Sequence, residues 1–346
     1  MDSALRELPM HTSALSRASD GPADTAERPA ATIYNAAQST FSIAPQGPFS
    51  WAAACEVLRH FPPLQHHGRG NADVLRLAFP LDHDYTPVAV ALHGDGGILH
   101  GEVRGSDRLE AVARQVARIF SLDHDGRAYP ALAERAPELG PLMAALPGLR
   151  PVCFTSPYEC AAWAIISLRI SMRQAAVIQG RLIAEHGHAL RVAGAEVQCF
   201  PVPERLLAVT EAPGLSSEKV ERLHGVAHAA LNGLLDADTL RALRDEAAPA
   251  ALRAIRGIGP FWASGIYLRA CGIRDVFPVE PLALAALGTL HGLGHAPNAA
   301  AVLALTERYR PYRMWVCFLL RVAAGRGLIA GITEQAGAIR RARRTL

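Results

Sequence analysis

A tight bend with two glycines, Gly257-Ile258-Gly259, is followed at once by Pro260 and an apolar helical pattern. Glycine takes backbone angles closed to residues with a Cβ, and its bare backbone lets a ligand come close. Proline suits the first position of a helix, because its missing N–H costs nothing there. A helix predicted over Pro260–Ala270 would turn its free N–H groups and positive dipole end toward the bend, which is the chemistry of an anion site. The structural alternative is an ordinary helical turn with glycines at a C-cap.

An acid and a proline, Glu280-Pro281, open the next apolar segment, after the loop Asp275-Val276-Phe277-Pro278. The stretch from Leu252 to Leu284 is thus helix, hairpin, helix, short loop, and a new helix that begins with an acid. This layout resembles the helix–hairpin–helix DNA glycosylase superfamily. Several ordered motifs between about 40 and 330 place the resemblance closest to the DNA-3-methyladenine glycosylase II family.

The resemblance implies a base-excision DNA glycosylase that hydrolyses the N-glycosidic bond of alkylated bases in duplex DNA. Breaking that bond builds positive charge on the sugar, which a neighbouring carboxylate stabilises. The catalytic Asp of the family falls one residue after Glu280, on Pro281. Two interpretations stay open: Glu280 replaces the Asp, or Glu280 only precedes a helix that it stabilises and the site is inactive. The alternative functions are then a lesion-binding relative without activity and a helical module for protein contacts.

Two adjacent aromatic residues, Phe261 and Trp262, are candidates for the pocket that receives a base flipped out of the duplex. An electron-poor alkylated purine stacks well on electron-rich rings, although Trp262 can equally pack in the core. Bifunctional relatives carry a Schiff-base lysine at the position of Phe261, and the only lysine of this chain is Lys219. The resemblance therefore implies a monofunctional enzyme. Arg169 stands where the family has an apolar plug, so it is a candidate DNA contact or a plain surface arginine.

Double-stranded DNA is the partner that the resemblance implies, bound through Gly257, Ile258 and Gly259, with no obligate protein partner. No cofactor is expected, although the hairpin carbonyls offer a place for a structural monovalent cation. Cluster-bearing relatives have four closely spaced cysteines after the catalytic helix, whereas this chain has only Cys317 there, so no iron–sulfur cluster is expected. Histidines at 66–67 and near 82–84 and 123–125 lack helical spacing and a third ligand, so no metal site is predicted.

Charge and composition limit how the chain can bind nucleic acid and where in the cell it is expected. The chain has 346 residues, half of them apolar, and a formal net charge of +3. Nucleic-acid binding must therefore use a local basic face rather than global charge. No apolar run approaches the roughly 18 residues of a membrane span, and the N-terminus lacks the order of a secretory signal. We expect a cytoplasmic, nucleoid-associated protein without a membrane partner.

The elements that must position these residues form one mixed part and one helical part. Between about 38 and 127 the pattern predicts strand, helix, three antiparallel strands and helix, with Asp95-Gly96-Gly97 as a hairpin turn. This layer resembles the N-terminal, TATA-binding-protein-like half of the glycosylase family. From 128 to 330 the pattern predicts helices alone, with one long helix over Pro157–Gly187 and a last one over 307–323.

The predicted fold class is therefore α+β: a small antiparallel sheet with helices, followed by an all-α helix–hairpin–helix glycosylase domain. Residues 1–37 are rich in Ala, Ser, Asp, Pro and Arg without apolar periodicity, and they are predicted to be a flexible leader. Residues 331–346 are predicted to be a basic tail.

Overall fold

The structure, a computed structural model, describes residues 31–64, 74–243 and 246–332. Most of the predicted leader, the pair His66-His67 and the tail beyond residue 332 lie outside the described residues. The elements of the N-terminal part are β1 (Ala31–Asn35), β2 (Thr40–Ala44), α1 (Trp51–His60), β3 (Leu75–Pro80), β4 (Pro87–Asp95), β5 (Ile98–Arg104) and α2 (Leu109–Ile119).

The second part begins with short helices and contains one β-hairpin. Its elements are α3 (Leu132–Arg135), α4 (Gly140–Ala145), α5 (Pro157–Ile166), α6 (Met172–His186), β6 (His188–Val192), β7 (Ala195–Cys199), α7 (Pro203–Leu207), α8 (Ser217–Leu231), α9 (Ala237–Leu243), α10 (Ala247–Leu252), α11 (Pro260–Ala270), α12 (Pro281–Leu290), α13 (Ala299–Thr306) and α14 (Arg313–Gly325).

The N-terminal sheet is antiparallel with the strand order β1-β2-β5-β4-β3. Four strands and both helices lie where the pattern predicts them, and Gly96 and Gly97 form the β4–β5 turn with φ of 55° and 81°. The antiparallel layer of the predicted α+β fold is thus confirmed. The first strand, β1, lies instead inside the predicted leader. It is a largely exposed edge strand, so it lacks the buried alternation by which a strand is found in a sequence.

A second hairpin, β6–β7, corrects the prediction that the chain is helical throughout from residue 128. Its two-residue turn has φ of 46° at Ala193 and 74° at Gly194, which matches the twist of a tight hairpin. Val192 and Cys199 pack on small residues of the sheet, Ala78 and Ala89 among them. The hairpin therefore covers part of the outer sheet face, opposite the face that packs on α2.

The predicted long helix over Pro157–Gly187 is two helices. Every residue of α5 is buried, as expected for a helix that is apolar all round. The chain leaves the helix after Ile166, and α6 starts anew because Ser171 and Gln174 form a capping box. Between the two helices Arg169 has a φ of 59°, a conformation that a continuous helix does not contain.

Two hydrophobic cores organise the molecule. The larger one joins the inner face of the sheet to residues of α2, α5, α8 and α11. The smaller one joins α3, α4, α12 and α14. The last helix begins at Arg313 rather than near residue 307, because Pro311 cannot continue the short 3-10 turn Glu307–Tyr309. Among the helices of the described residues, none has the length and apolarity that a bilayer crossing requires.

Candidate active site

The bend between α10 and α11 is anchored by its middle residue. Ile258 is 4% exposed and belongs to the larger core, and its N–H donates to the Ile255 carbonyl at 3.0 Å. Its side chain is therefore an anchor and does not face a ligand. Gly257 has a φ of 96°, and a Cβ there would lie 2.9 Å from Cδ1 of Ile165 on α5. Glycine is thus favoured at 257 by its backbone angle, and a Cβ there would also displace the end of the Ile165 side chain.

The backbone conformation of Gly259 differs from the one that the sequence predicts. Its φ of −83° is open to any residue, so the expected special backbone angle is wrong for this glycine. An added Cβ would meet nothing within 4 Å, so the glycine leaves a bare, exposed surface at the start of α11. No described side chain caps this helix, and its first N–H groups have no acceptor within the helix. The bend therefore presents a helix start with free N–H groups, which is the kind of helix end at which anions bind in proteins.

The two aromatic candidates have different surroundings. Phe261 is 50% exposed, whereas Trp262 is partly buried and packs against the larger core. Their rings meet edge to face with centroids 5.5 Å apart. Phe261 thus offers a ring to solvent at the second position of α11, and Trp262 supports it from the protein side.

The break between α5 and α6 adjoins this bend. Ile165, one residue before the end of α5, supplies the side-chain atom that lies nearest to the place of a Cβ on Gly257. Lys219 of α8 donates from Nζ to the Ile166 carbonyl at 2.8 Å, and burial together with Arg222 lowers the pKa of this lysine. Arg169 follows on the same loop with an exposed side chain. The loop that carries Arg169 therefore begins directly after the end of α5 that packs beside Gly257.

Acidic residues balance much of the positive charge next to the bend. Arg222 pairs with Glu218 at 2.7 Å, and Arg256 lies 3.4 Å from both Glu218 and Glu221. Arg169 has no ion-pair partner within the described part of the chain. It is thus the free basic side chain of the α5–α6 loop.

The loop after α11 is held to the start of α14. Asp275 accepts hydrogen bonds from Arg310 Nη1 and Arg313 Nε, each at 2.8 Å, and Phe277 is buried in the smaller core. Asp275 therefore holds the loop against the start of α14. Tyr312 is 3% exposed and donates to the Asp125 carbonyl, so it packs inside the protein.

Glu280 is the N-cap residue of α12. Its Oε2 accepts a hydrogen bond from the Ala283 N–H at 2.7 Å, and its Oε1 lies 3.8 Å from Arg321 Nε on α14. The side chain is 28% exposed, so the carboxylate neither projects into solvent nor sits in a short ion pair. Pro281 occupies the first helical position and carries no acid–base group. The carboxylate available at this helix start is therefore that of Glu280.

Sequence reasoning missed Arg321, because no spacing pattern relates it to Glu280. It also missed the surroundings of Cys317, which lies close enough to Glu280 to sense its charge. Burial raises the pKa of the Cys317 thiol, and the Glu280 carboxylate raises it further.

Two histidines considered as metal ligands have protein partners instead. His83 lies 2.9 Å from the Asp236 carboxylate, and Nε2 of His124 is 2.7 Å from the Gly272 carbonyl. Both therefore act as links between segments of the chain.

Comparison with known proteins gives no match to a protein-family model. DNA-3-methyladenine glycosylase 2 of Escherichia coli is 30% identical over 215 residues, which are 60% of this chain and 71% of that protein. DNA-3-methyladenine glycosylase of Bacillus subtilis is 22% identical over 216 residues, 61% of this chain and 71% of the relative. Both relatives carry the name of one enzyme family.

Solved structures show the same fold. The 3-methyladenine DNA-glycosylase from Archaeoglobus fulgidus superposes with a TM-score of 0.68 at 23% identity, covering 82% of this chain and 97% of that one. The 8-oxoguanine glycosylase/lyase of Clostridium acetobutylicum, solved with double-stranded DNA, has a TM-score of 0.62 at 15% identity. The superposition covers 84% of this chain and 97% of that one. With the hairpin and the acid-capped helix in place, and a relative at 30% identity, the chain belongs to the DNA-3-methyladenine glycosylase family of helix–hairpin–helix proteins.

Proposed function

We propose that this protein is a monofunctional DNA glycosylase that removes alkylated bases of the 3-methyladenine type from duplex DNA. The observation that carries the proposal is the half-buried Glu280 carboxylate at the start of α12, of which only Oε2 is used by the helix cap. A carboxylate can serve as cap and still face the sugar of a bound nucleotide with its second oxygen. The relatives named for this activity support the substrate class.

In the proposed reaction the bare N-terminal end of α11 at Gly259 holds a DNA phosphate, which positions the duplex. The damaged base leaves the stack and lies against Phe261, the exposed ring of the bend. The bond between the sugar C1′ and the base nitrogen then breaks, and the Glu280 carboxylate stabilises the positive sugar. Water adds its oxygen to C1′ and releases one proton, while the base departs with the bonding electrons.

Monofunctional chemistry follows from the position of the amines. Phe261 stands on α11 where a Schiff-base lysine would act, and Lys219, the only lysine of the chain, lies on α8 and donates to a main-chain carbonyl. Borohydride treatment during turnover should therefore trap no covalent protein–DNA product. A trapped product would overturn this part of the proposal.

The test of Glu280 separates its two roles. Glu280→Gln keeps an oxygen that accepts the Ala283 N–H but removes the charge, so folding should be preserved while release of base from alkylated duplex DNA slows by about 100-fold or more. Glu280→Ala removes both the charge and the oxygen that accepts the Ala283 N–H. This variant should therefore release base slowly and should also be less stable by about 1 kcal/mol. Glu110→Gln, an exposed acid on α2, is the matched control and should release base at the wild-type rate.

A second candidate function is a lesion-binding protein without activity, and the capping hydrogen bond of Glu280 is the observation that favours it. Tight binding of alkylated duplex by the wild-type protein with no base release would establish this alternative. Normal release by Glu280→Gln would show that another group performs the chemistry. Binding should in either case weaken steeply with salt, because phosphate contacts release counterions; a flat response would remove DNA as the partner.

A further inference from the structure

The start of helix α8 contacts both the end of α5 and the glycine bend. Lys219, in the first turn of α8, donates from Nζ to the Ile166 carbonyl at 2.8 Å. Arg222, one turn later, places its Cδ 3.0 Å from the position that a Cβ on Gly257 would take. One short stretch of helix therefore touches the last residue of α5 and the first glycine of the bend.

Ion pairs hold the bend to the same part of α8. Arg256, the residue before Gly257, lies 3.4 Å from both Glu218 and Glu221. The side chains of Glu218 and Arg222 in turn pair with each other at 2.7 Å. The bend is thus fixed to α8 without the help of Lys219, and Lys219 extends the connection to α5.

The α5–α6 loop is a short turn that projects one charged side chain. The N–H of Leu168 donates to the Ile165 carbonyl at 3.3 Å, and the N–H of Ile170 donates to the Ser167 carbonyl at 3.4 Å. The side chains of Leu168 and Ile170 pack against the larger core, whereas Arg169 between them is exposed. Because the turn is tied together in this way, a shift of its first residue also shifts Arg169.

The Lys219 ammonium suits its place at the end of α5. The carbonyls of the last helical turn lack a donor within their own helix, and a positive charge near them is favourable. Ile166 is fully buried, so water is a poor replacement for the lysine donor. Loss of Nζ therefore removes a hydrogen bond that holds the residue directly before the turn.

We infer that Lys219 is a positioning residue for DNA binding, which fixes the turn that carries Arg169 relative to the bend at Gly257–Gly259. This role rests on the proposed function, in which the bend holds a DNA phosphate, and on Arg169 as a second contact with the duplex. Two contacts reach one duplex together only if their separation matches the DNA. A turn that must first be ordered lowers the affinity, because its lost freedom opposes binding.

A double-mutant cycle tests whether Lys219 acts through Arg169. Fluorescence anisotropy gives the dissociation constant for a duplex with one tetrahydrofuran abasic analogue, which the protein cannot hydrolyse. We expect Lys219→Met to weaken binding by about three- to tenfold when Arg169 is present, and by less than about twofold in the Arg169→Ala background. Any long-range effect of the lost lysine charge is present in both backgrounds and cancels in the comparison.

His224→Met is the matched control. His224 lies on the same helix, and its Nε2 contacts the Val209 carbonyl at 2.8 Å, so the variant loses a similar contact that does not involve the α5–α6 loop. Its effect on DNA affinity should be the same with and without Arg169. Circular dichroism at the assay temperature shows whether each variant is folded, and Lys219→Gln takes the place of Lys219→Met if the latter unfolds.

Equal effects of the Lys219 substitution in the two backgrounds overturn the positioning role, and so does unchanged affinity in Lys219→Met. Base release from alkylated duplex DNA is measured separately on the wild-type protein. Release together with an additive cycle removes the role of Lys219 and leaves the glycosylase proposal standing. A coupled cycle without base release supports the role of Lys219 and removes the glycosylase activity.

Discussion

At the scale of single residues, the proposed catalytic role of Glu280 coincides with a structural one. The Glu280 carboxylate caps α12 with one oxygen and leaves the other near Arg321. A helix start is a favourable place for a negative charge, since the dipole stabilises it by about 0.3–1 kcal/mol. The capping hydrogen bond also fixes the direction of the Glu280 carboxylate, and a fixed direction is what the proposed stabilisation of a developing positive charge requires.

Glu159, buried in α5, gives a prediction about pH. Burial raises its pKa from 4.5 to about 8, against the opposing effect of a hydrogen bond with Thr155. Between these two values the folded protein holds a proton that the unfolded chain has released. The free energy of unfolding therefore falls as pH rises through this range, by up to about 1.4 kcal/mol per pH unit from this group, and stops falling above the folded pKa.

The variant Glu159→Gln should remove this contribution. Its stability relative to the wild type should increase steadily from about pH 5 to about pH 8, by a few kcal/mol in total, in urea denaturation followed at several pH values. Glu110→Gln, exposed on α2, should run parallel to the wild type. A constant difference between Glu159→Gln and the wild type would show that Glu159 is ionised in the folded protein.

At the scale of elements, substitutions at the two glycines of the bend should affect stability in opposite ways. Gly257→Ala should destabilise the protein by about 1–3 kcal/mol, because its φ of 96° and the contact with Ile165 both oppose a Cβ. Gly259→Asp should keep or slightly raise stability, since an aspartate at this position caps α11 better than glycine. The same aspartate should weaken DNA binding by at least about tenfold, because its charge opposes the phosphate.

Thermal unfolding and DNA titration of both variants check this pair. Gly259→Ala separates the effect of the aspartate charge from that of an added Cβ, since it adds only a methyl group into open space at an ordinary φ. Equal loss of stability in Gly257→Ala and Gly259→Asp would contradict the separate roles of the two glycines. Undiminished DNA binding by Gly259→Asp would remove the start of α11 from the interface.

The loop between α5 and α6 gives a further prediction. Arg169→Gly should stabilise the protein by about 1 kcal/mol, because glycine adopts the left-handed conformation at 59° without strain. The variant should bind DNA more weakly, and the slope of log affinity against log salt should fall by about one charge. Arg191→Ala, an exposed arginine on β6, is the control. An unchanged salt slope in Arg169→Gly would make Arg169 a surface arginine without a role.

At the scale of the molecule, Arg118 joins the mixed part to the helical part. It lies on α2 with 3% exposure, and it donates to the carbonyls of Thr155 and Ala270 and to the Asp82 carboxylate. Arg118→Met leaves Asp82 buried without its charge partner, and should reduce the free energy of unfolding by about 3–5 kcal/mol.

Chemical denaturation compares this variant with Arg114→Met on the same helix. Arg114 is 62% exposed and lies 3.6 Å from Glu110, so its loss should change stability by less than about 0.5 kcal/mol. Similar effects of the two substitutions would mean that the junction between the two parts does not depend on Arg118.

Much of the molecule follows from local patterns. The start of α11 at Pro260 and of α12 at Pro281 were predictable, because proline and a preceding cap residue mark helix starts. The β4–β5 turn follows likewise from Gly96-Gly97. Two elements were not found from these patterns. The edge strand β1 shows no buried alternation, and the apolar run on both sides of the α5–α6 break hid the local capping box of Ser171 and Gln174.

The amino-acid sequence by itself determined the bend, the aromatic pair after it and the acid that opens α12, because neighbouring residues decide backbone conformation and helix ends. Only the tertiary structure decided that Ile165 closes against Gly257, that Arg321 faces Glu280 and that β6–β7 lies on the sheet. These contacts join residues far apart in the chain. They arise from the packing of two cores, which local preferences do not encode.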